Sequence, residues 1–298
     1  MVDALIASAL AAAVPLVLAA LGELVAERAG VLNLGVEGMM LIGALAGFAA
    51  VASGVPLGIS LFSAILAGAA AALAFAILTL TLQANQVAAG LALTILGYGL
   101  SAFLGRQYVG FRAPQSFDEL ALPGAGLPVI GPLFSMNVLA YAALVLVAAS
   151  FWFLYRTRAG LALRAVGESP AVGRSLGLHV TRVRYAATLF GGAMAGLAGG
   201  YYALAQFKMW QEGLTSGNGW IALALVVFAG WRPWRLVAGA LIFGAVTSLA
   251  LNLQAAGVHA SPFVLGMLPY LATIVALVLI SRRNETPAAL GKPFFDGD

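Results

Sequence analysis

Glu27-Arg28-Ala29-Gly30-Val31-Leu32-Asn33-Leu34-Gly35-Val36-Glu37-Gly38-Met39-Met40 lies between two long apolar runs, residues 4–22 and 36–53. How this interruption is read decides the fold. Gly30, Asn33, Gly35 and Glu37 stand in a stretch without Ser, Pro or Lys, unlike an ordinary water-exposed loop. Inside lipid, irregular backbone persists only where protein or a water-filled cavity satisfies its polar groups. Polar side chains at that depth are functional candidates. The alternative is a plain loop in which Glu23, Glu27 and Arg28 face water.

The composition around the interruption makes lipid the solvent. Of 298 residues, 62% are hydrophobic and 9% charged, with a mean hydropathy of +1.00. A soluble domain carries about 25% charged residues. Spans of about 20 apolar residues cross a bilayer, which leaves room for eight to ten. The breaks in the pattern predict nine: residues 4–22, 36–53, 57–82, 88–104, 137–155, 185–206, 218–230, 236–254 and 262–281. The expected fold is an all-α polytopic membrane protein, one domain over 1–281 with a tail over 282–298. The N-terminus enters its first apolar run directly after Met1-Val2-Asp3, without a positively charged segment, so the first span is expected to stay in the mature protein.

Several functions are disfavoured. The chain has no cysteine, which removes disulfides and thiolate metal sites. His179 and His259 are far apart, so no histidine-paired metal or haem centre is expected. The net charge of +4 reflects loop topology and not nucleic acid. If the Arg-rich connection 156–184 is cytoplasmic, nine spans place twelve of the 15 Lys and Arg residues on its side. Arg106, Arg112 and Lys208 remain opposite. The positive-inside rule then predicts N-terminus out and C-terminus in.

A second interruption, Lys208-Met-Trp210-Gln-Glu212-Gly213-Leu-Thr-Ser-Gly217-Asn218-Gly219-Trp220, follows the span that ends near Gln206. It matches the first in pattern, after a span ending near Gly22. Four spans, one connector at 137–155 and four more spans predict two inverted repeats with discontinuous helices, as many transporters use. Small residues four apart, Gly43/Gly47 and Gly192/Gly196/Gly200, predict close helix packing.

Within 156–184, Ser169 has the chemistry of an N-cap and Pro170 that of the first helical position. A short helix over 171–176 is expected, stopped by Gly177. On residues alone this segment is either a rigid knob facing the cytosol or a solvated basic loop. The run Glu27 to Met40, together with Arg164-Ala-Val-Gly167-Glu168-Ser169-Pro170-Ala171 and Gly177, resembles the permease family of bacterial importers for branched-chain amino acids, ribose and other simple sugars, and nucleosides. The likeness is strongest to the shorter permease of the purine-nucleoside branch and covers nearly the whole chain. Val172-Gly173 departs from the second alanine or other helix former usual there, and Gly costs a helix about 1 kcal/mol relative to Ala.

The resemblance implies a permease in the bacterial cytoplasmic (inner) membrane, partnered by an ABC ATPase, a second and different permease, and an extracytoplasmic substrate-binding protein. Arg164, Gly167, Glu168, Ser169, Pro170, Ala171, Arg174 and Gly177 would form the coupling region that docks on the ATPase. ATP and Mg would bind that partner, because this chain lacks a GxxxxGK[ST] loop; its one Gly-Lys pair, Gly291-Lys292, precedes Pro293. No cofactor, metal or catalytic residue is expected here, and the chain is not expected to be an enzyme.

A polar, uncharged substrate needs hydrogen-bonding groups and aromatic faces. The candidates are Asn33 and Glu37 in the first interruption, Asn85 and Gln86 at the start of the fourth span, and Asn218 and Trp220 in the second. Each has a structural alternative. Asn33 could hold a turn, Glu37 could complement a helix dipole, and Asn218 could be an N-cap. Trp231, Arg232, Trp234 and Arg235 read as an interfacial anchor. The expected substrate is a nucleoside, with ribose-like sugars or a branched-chain amino acid as alternatives. An ion-coupled secondary transporter is the rival class.

Overall fold

Helices occupy the expected apolar segments. The computed structural model describes residues 2–255, 262–280 and 286–294. In chain order they form α1 (Val2–Arg28), α2 (Val36–Ala52), α3 (Leu57–Ala76, extended by π-helical turns Ile77–Thr81) and α4 (Gln86–Gly105). Then come α5 (Val138–Arg156), α6 (Arg158–Glu168), α7 (Pro170–Ser175), α8 (Val180–Tyr201, extended by π-helical turns Tyr202–Gln206), α9 (Asn218–Ala229), α10 (Pro233–Ala255) and α11 (Pro262–Ile280). Among the described residues, pairing of the β type is limited to two isolated bridges, Arg112 with Met209 and Glu119 with Asn137.

Among the described residues, five helices are long and apolar enough to cross a membrane: Val2–Arg28, Leu57–Thr81, Gln86–Tyr108, Val138–Arg156 and Pro233–Gln254. The helices after the two interruptions are different. α2 has 17 residues and α9 has 12. At 1.5 Å per residue they reach about 25 and 18 Å, short of a hydrocarbon core of about 30 Å.

The first span is longer than expected. Gly22 does not end it, and α1 continues to Arg28. Glu23-Leu-Val-Ala-Glu27-Arg28 are all compatible with helix and most favour it. The stop comes at Gly30, whose φ is +86°. Gly30 N donates to Glu27 O and Val31 N to Ala26 O, the paired closure of a glycine-terminated helix. Glu23 and Glu27 are therefore buried helical residues, 1% and 2% exposed, and do not face water. The first break shrinks to residues 29–35.

Glycine contacts set the packing. A Cβ on Gly43 would lie 2.5 Å from Gly196 Cα, so the two predicted small-residue stripes pack on each other. α8 packs against α1, α2 and α3, and α1 packs against α8, α9 and α10. These partner sets exchange when α1–α4 are matched to α8–α11. Without a hydrophobic effect between helices in lipid, close van der Waals contact of this kind holds them together.

The bundle has two ends. One end carries Asp3, which accepts a hydrogen bond from Val129 N, and Gln115, which accepts from Leu57 N. The long connection 106–137 lies there. The other end carries Arg28, Trp231, α6, α7 and residues 286–294, linked by hydrogen bonds described below. Each break runs inward from a different end: 29–35 from the α6–α7 end, and 207–217 from the end that holds the long connection.

Candidate functional site

The two breaks meet at one carboxylate. Glu37, in the first turn of α2, is 1% exposed. Its Oε1 accepts from Thr215 Oγ1 at 2.5 Å, Gly217 N at 2.8 Å and Tyr98 Oη at 2.9 Å. Its Oε2 accepts from Gly219 N at 2.6 Å. Gly217 precedes α9 with φ +82°, a left-handed conformation that glycine adopts without strain. Glu37 thus supplies the acceptor that the free N–H groups of the α9 terminus require and sits at the positive end of the α9 dipole. Glu37 also stands in the first turn of its own helix, as the sequence suggested, so it complements the dipoles of both α2 and α9.

Asn218 is not the N-cap. That position is Gly217, and Asn218 is the first residue of α9, its Nδ2 donating to Thr215 O at 2.7 Å. Trp220 lies in the same turn, 37% exposed; Tyr98 on α4 is also 37% exposed and Tyr270 on α11 is 49% exposed. Three partly open aromatic groups on α4, α9 and α11 therefore surround or adjoin the helix that Glu37 caps.

The first break is satisfied by its surroundings. Asn33, fully buried, accepts from Gly35 N through Oδ1 at 2.9 Å; its own N–H donates to Glu23 Oε1 at 3.0 Å. Gln86 Oε1 accepts from Leu32 N at 2.8 Å, and Thr94 Oγ1 donates to Leu34 O at 2.9 Å. Asn33 and Gln86 are thus committed to the backbone of residues 32–35. Asn85 is exposed and caps α4 by accepting from Ala88 N at 3.0 Å. The six predicted path residues divide accordingly: Glu37, Asn218 and Trp220 gather at the α9 terminus, Asn33 and Gln86 hold the first break, and Asn85 stands apart as a cap.

The connection 156–184 holds two helices where the sequence indicated one. α6 (Arg158–Glu168) was not anticipated; Thr157 caps it by accepting from Gly160 N at 3.0 Å. Ser169 caps α7 by accepting from Val172 N at 3.4 Å, with Pro170 in the first turn. Gly177 ends it at φ +79°. Gly173 is buried, and a Cβ there would lie 3.2 Å from Val166 Cγ2, so the departure from a helix former lets α7 lie close to α6. Arg164 stacks on Tyr155 at 5.0 Å, and Gly167 sits on the Arg28 carbonyl with no room for a Cβ. Glu168 accepts from Ala288 N at 3.3 Å. These three face their own chain. Ala171, Val172, Leu176 and Gly177 are exposed, and Arg174 lies on the same short helix.

Trp231 is not an interfacial anchor. It is 1% exposed, and its indole Nε1 donates to Glu27 Oε2 at 2.5 Å while Arg28 donates to its carbonyl at 3.1 and 3.2 Å. Trp234 remains exposed, with Arg235 5.2 Å from its ring. His179 precedes α8 and is exposed; His259 lies outside the described residues. Tyr98 and Thr215 escaped the sequence reading, and Glu23 entered it only as a loop residue facing water. The signal for Glu23 was present, since it and Glu27 stand four apart in an otherwise apolar run. Tyr98 and Thr215 carried none.

Broken helices joined through a buried carboxylate, in a chain this apolar, suit a membrane-embedded framework. A family profile described as "Branched-chain amino acid transport system / permease component" matches residues 5–280. The chain belongs to this family of permeases. It is 41% identical to TsgC13 of Haloferax volcanii, whose name assigns it to a glucose ABC transporter, over 92% of this chain and 91% of that one. It is 34% identical to the guanosine ABC transporter permease NupQ of Bacillus subtilis, over 96% and 94%. With the nucleoside ABC transporter permease NupC of Lactococcus lactis it shares 30% identity, over 96% and 95%. The chain is thus an ABC transporter permease, a transport subunit without enzymatic activity of its own.

Proposed function

We propose that this chain is the membrane-spanning permease of an ATP-driven nucleoside importer, working by alternating access. The observation that carries this reading is the Glu37 clamp, which ties the two helix breaks together beside the half-open Tyr98 and Trp220. Flat aromatic faces suit a nucleobase, and backbone groups at a helix break suit its polar edges. The names of NupQ and NupC support the nucleoside class. A simple sugar is the second reading, favoured by the identity to TsgC13.

The same reading has nine spans arranged as two inverted repeats, N-terminus out and C-terminus in, in the cytoplasmic membrane. The exchange of packing partners between α1–α4 and α8–α11 supports the repeat, and the Lys and Arg distribution supports the orientation. A partner ATPase binds ATP and Mg and grips α6–α7 through Ser169, Pro170, Ala171, Arg174 and Gly177, with Arg164, Gly167 and Glu168 fixing that segment to the bundle. A second permease completes the path, and an extracytoplasmic binding protein delivers substrate. Glu37, Asn218 and Trp220 shape the path at the α9 terminus; Asn33 and Gln86 hold the first break beside it, and Asn85 caps α4.

Reconstitution with the ATPase, second permease and binding protein tests this reading. ATP-dependent uptake of labelled guanosine, competed by other nucleosides and not by glucose, is the expected result. Competition by glucose alone moves the assignment to sugars. Accumulation by the isolated chain in vesicles, without ATPase, would sink the ABC mechanism in favour of an ion-coupled carrier.

A further inference from the structure

Residues 286–294 form a strap across the end of the bundle that carries α6 and α7. Ala289 N donates to Gly167 O at 3.0 Å, and Gly291 N donates to Gly30 O at 3.2 Å. Two residues of one short segment therefore bridge the end of α6 and the turn that opens the first break, 137 positions apart in the chain. Three further contacts seat the strap. Ala288 N donates to Glu168 Oε2 at 3.3 Å, Gln83 Nε2 donates to Phe294 O at 3.1 Å, and Arg184 Nη1 donates to Lys292 O at 3.1 Å. Arg184 is 2% exposed and its Nε also donates to Ala29 O, so one guanidinium holds both the strap and the first break. Pro287 and Ala289 are buried. The five hydrogen bonds all use the backbone of the strap, and Leu290 adds apolar packing against the core.

We propose that Ala289 and Gly291 are positioning residues for transport: they lock the coupling segment to residues 29–35, so that displacement of α6–α7 moves the first break and is not absorbed at the joints flanking α6, Thr157 and Ser169. This rests on the ATPase-driven reading above. A rigid link between two elements is what allows a force applied at one to bias the other.

Ala289→Pro removes the N–H given to Gly167, while Ala289→Ser keeps it. Lys292→Gln leaves untouched the carbonyl that Arg184 uses. In the reconstituted transporter, Ala289→Pro should lower nucleoside uptake per ATP hydrolysed about fivefold or more, the scale of a typical coupling term, with subunit association unchanged. Ala289→Ser and Lys292→Gln should match wild type. Removal of residues 286–298 serves as the second variant if the proline chain does not fold, with the same expectation. Equal uptake-to-hydrolysis ratios in wild type and the altered chains would overturn the proposal. Hydrogen exchange on the full-length permease alone gives a readout that needs no ATPase: Ala289→Pro should speed exchange at 29–35 as well as 158–168. Faster exchange confined to 286–294 would overturn it too. Uptake by wild type that proves independent of ATP would defeat the ABC reading, and the exchange experiment would still decide whether the strap links the two segments.

Discussion

Glu37 Oε2 accepts the backbone N–H of Gly219 at 2.6 Å, joining residues 182 positions apart. With Thr215, Tyr98 and Gly217 on the other oxygen, the carboxylate takes donors from α4 and from the second break while itself standing on α2. Each break alone would expose unsatisfied N–H groups in an apolar interior. Glu37, which opens α2 directly after the first break, satisfies those of the second, while Glu23, Asn33 and Gln86 satisfy those of the first.

Glu37→Gln should therefore be costly despite its matched shape. The amide has one accepting oxygen, and its NH2 would face donors that need an acceptor. Leaving a buried donor unpaired costs about 1–3 kcal/mol. The expected outcome is a lower unfolding temperature in detergent and loss of most uptake in the reconstituted transporter. Wild-type values in both measurements would remove Glu37 from the role assigned to it.

Two glycine substitutions should act in opposite directions. A Cβ on Gly199 would overlap the Met40 carbonyl, so Gly199→Ala must push α8 away from α2, at about 1–3 kcal/mol. Gly99 on α4 has nothing within 4 Å of an added Cβ, and Gly99→Ala should stabilise by about 0.5–1 kcal/mol through helix propensity. Thermal unfolding of the two variants beside wild type checks the pair; shifts of the same sign would show the packing to be misassigned.

Trp231→Phe removes the indole N–H from Glu27 and leaves a buried carboxylate oxygen without its donor. A loss of about 1–3 kcal/mol is expected, together with loosening at the α6–α7 end, where Arg28 also holds the Trp231 carbonyl. Trp234→Phe, at a side chain 57% exposed, should be close to neutral. Denaturation of both variants in the same detergent decides between a buried and an interfacial Trp231.

Outside the spans, Lys208 Nζ meets Asp118 Oδ1 at 2.6 Å. The hydrogen bond from Lys208 holds the Asp118 carboxyl below its usual range, helped by Ser116. A lowered folded-state value means that the contact favours the folded loop above the ordinary Asp range and is lost as pH falls through the lowered value. Both groups are solvent-accessible, so the effect is small and weakened by salt. Proteolysis of the 106–137 connection should quicken slightly at acid pH in wild type and show no such acid step in Asp118→Asn. An acid step of equal size in that variant would place the titration elsewhere.

The positions of the apolar helices were legible in the sequence because lipid imposes a one-dimensional constraint: a run of apolar residues, then a break. The 36–53 prediction differs from α2 by one residue, and 218–230 from α9 by one. The cap at Ser169 and the stop at Gly177 were equally local. Helix α6 was not legible, since Arg158 to Glu168 holds two arginines and two glycines in a basic connection and reads as a loop until it packs against α5 and α8. Nor was the end of α1, where glutamates resembled a loop because their partners, Asn33 and Trp231, are supplied from elsewhere.

What the residues by themselves determined is the solvent, the helical class, the two interruptions and the family likeness, all properties set by composition and by neighbours within a few turns. Only the tertiary structure decided which polar groups meet. Glu37 to Gly219, Glu27 to Trp231 and Ala289 to Gly167 are pairings across more than a hundred residues. The physical reason is that a buried donor or acceptor must find a partner, yet nothing in its immediate sequence says which distant segment the fold will bring within 3 Å.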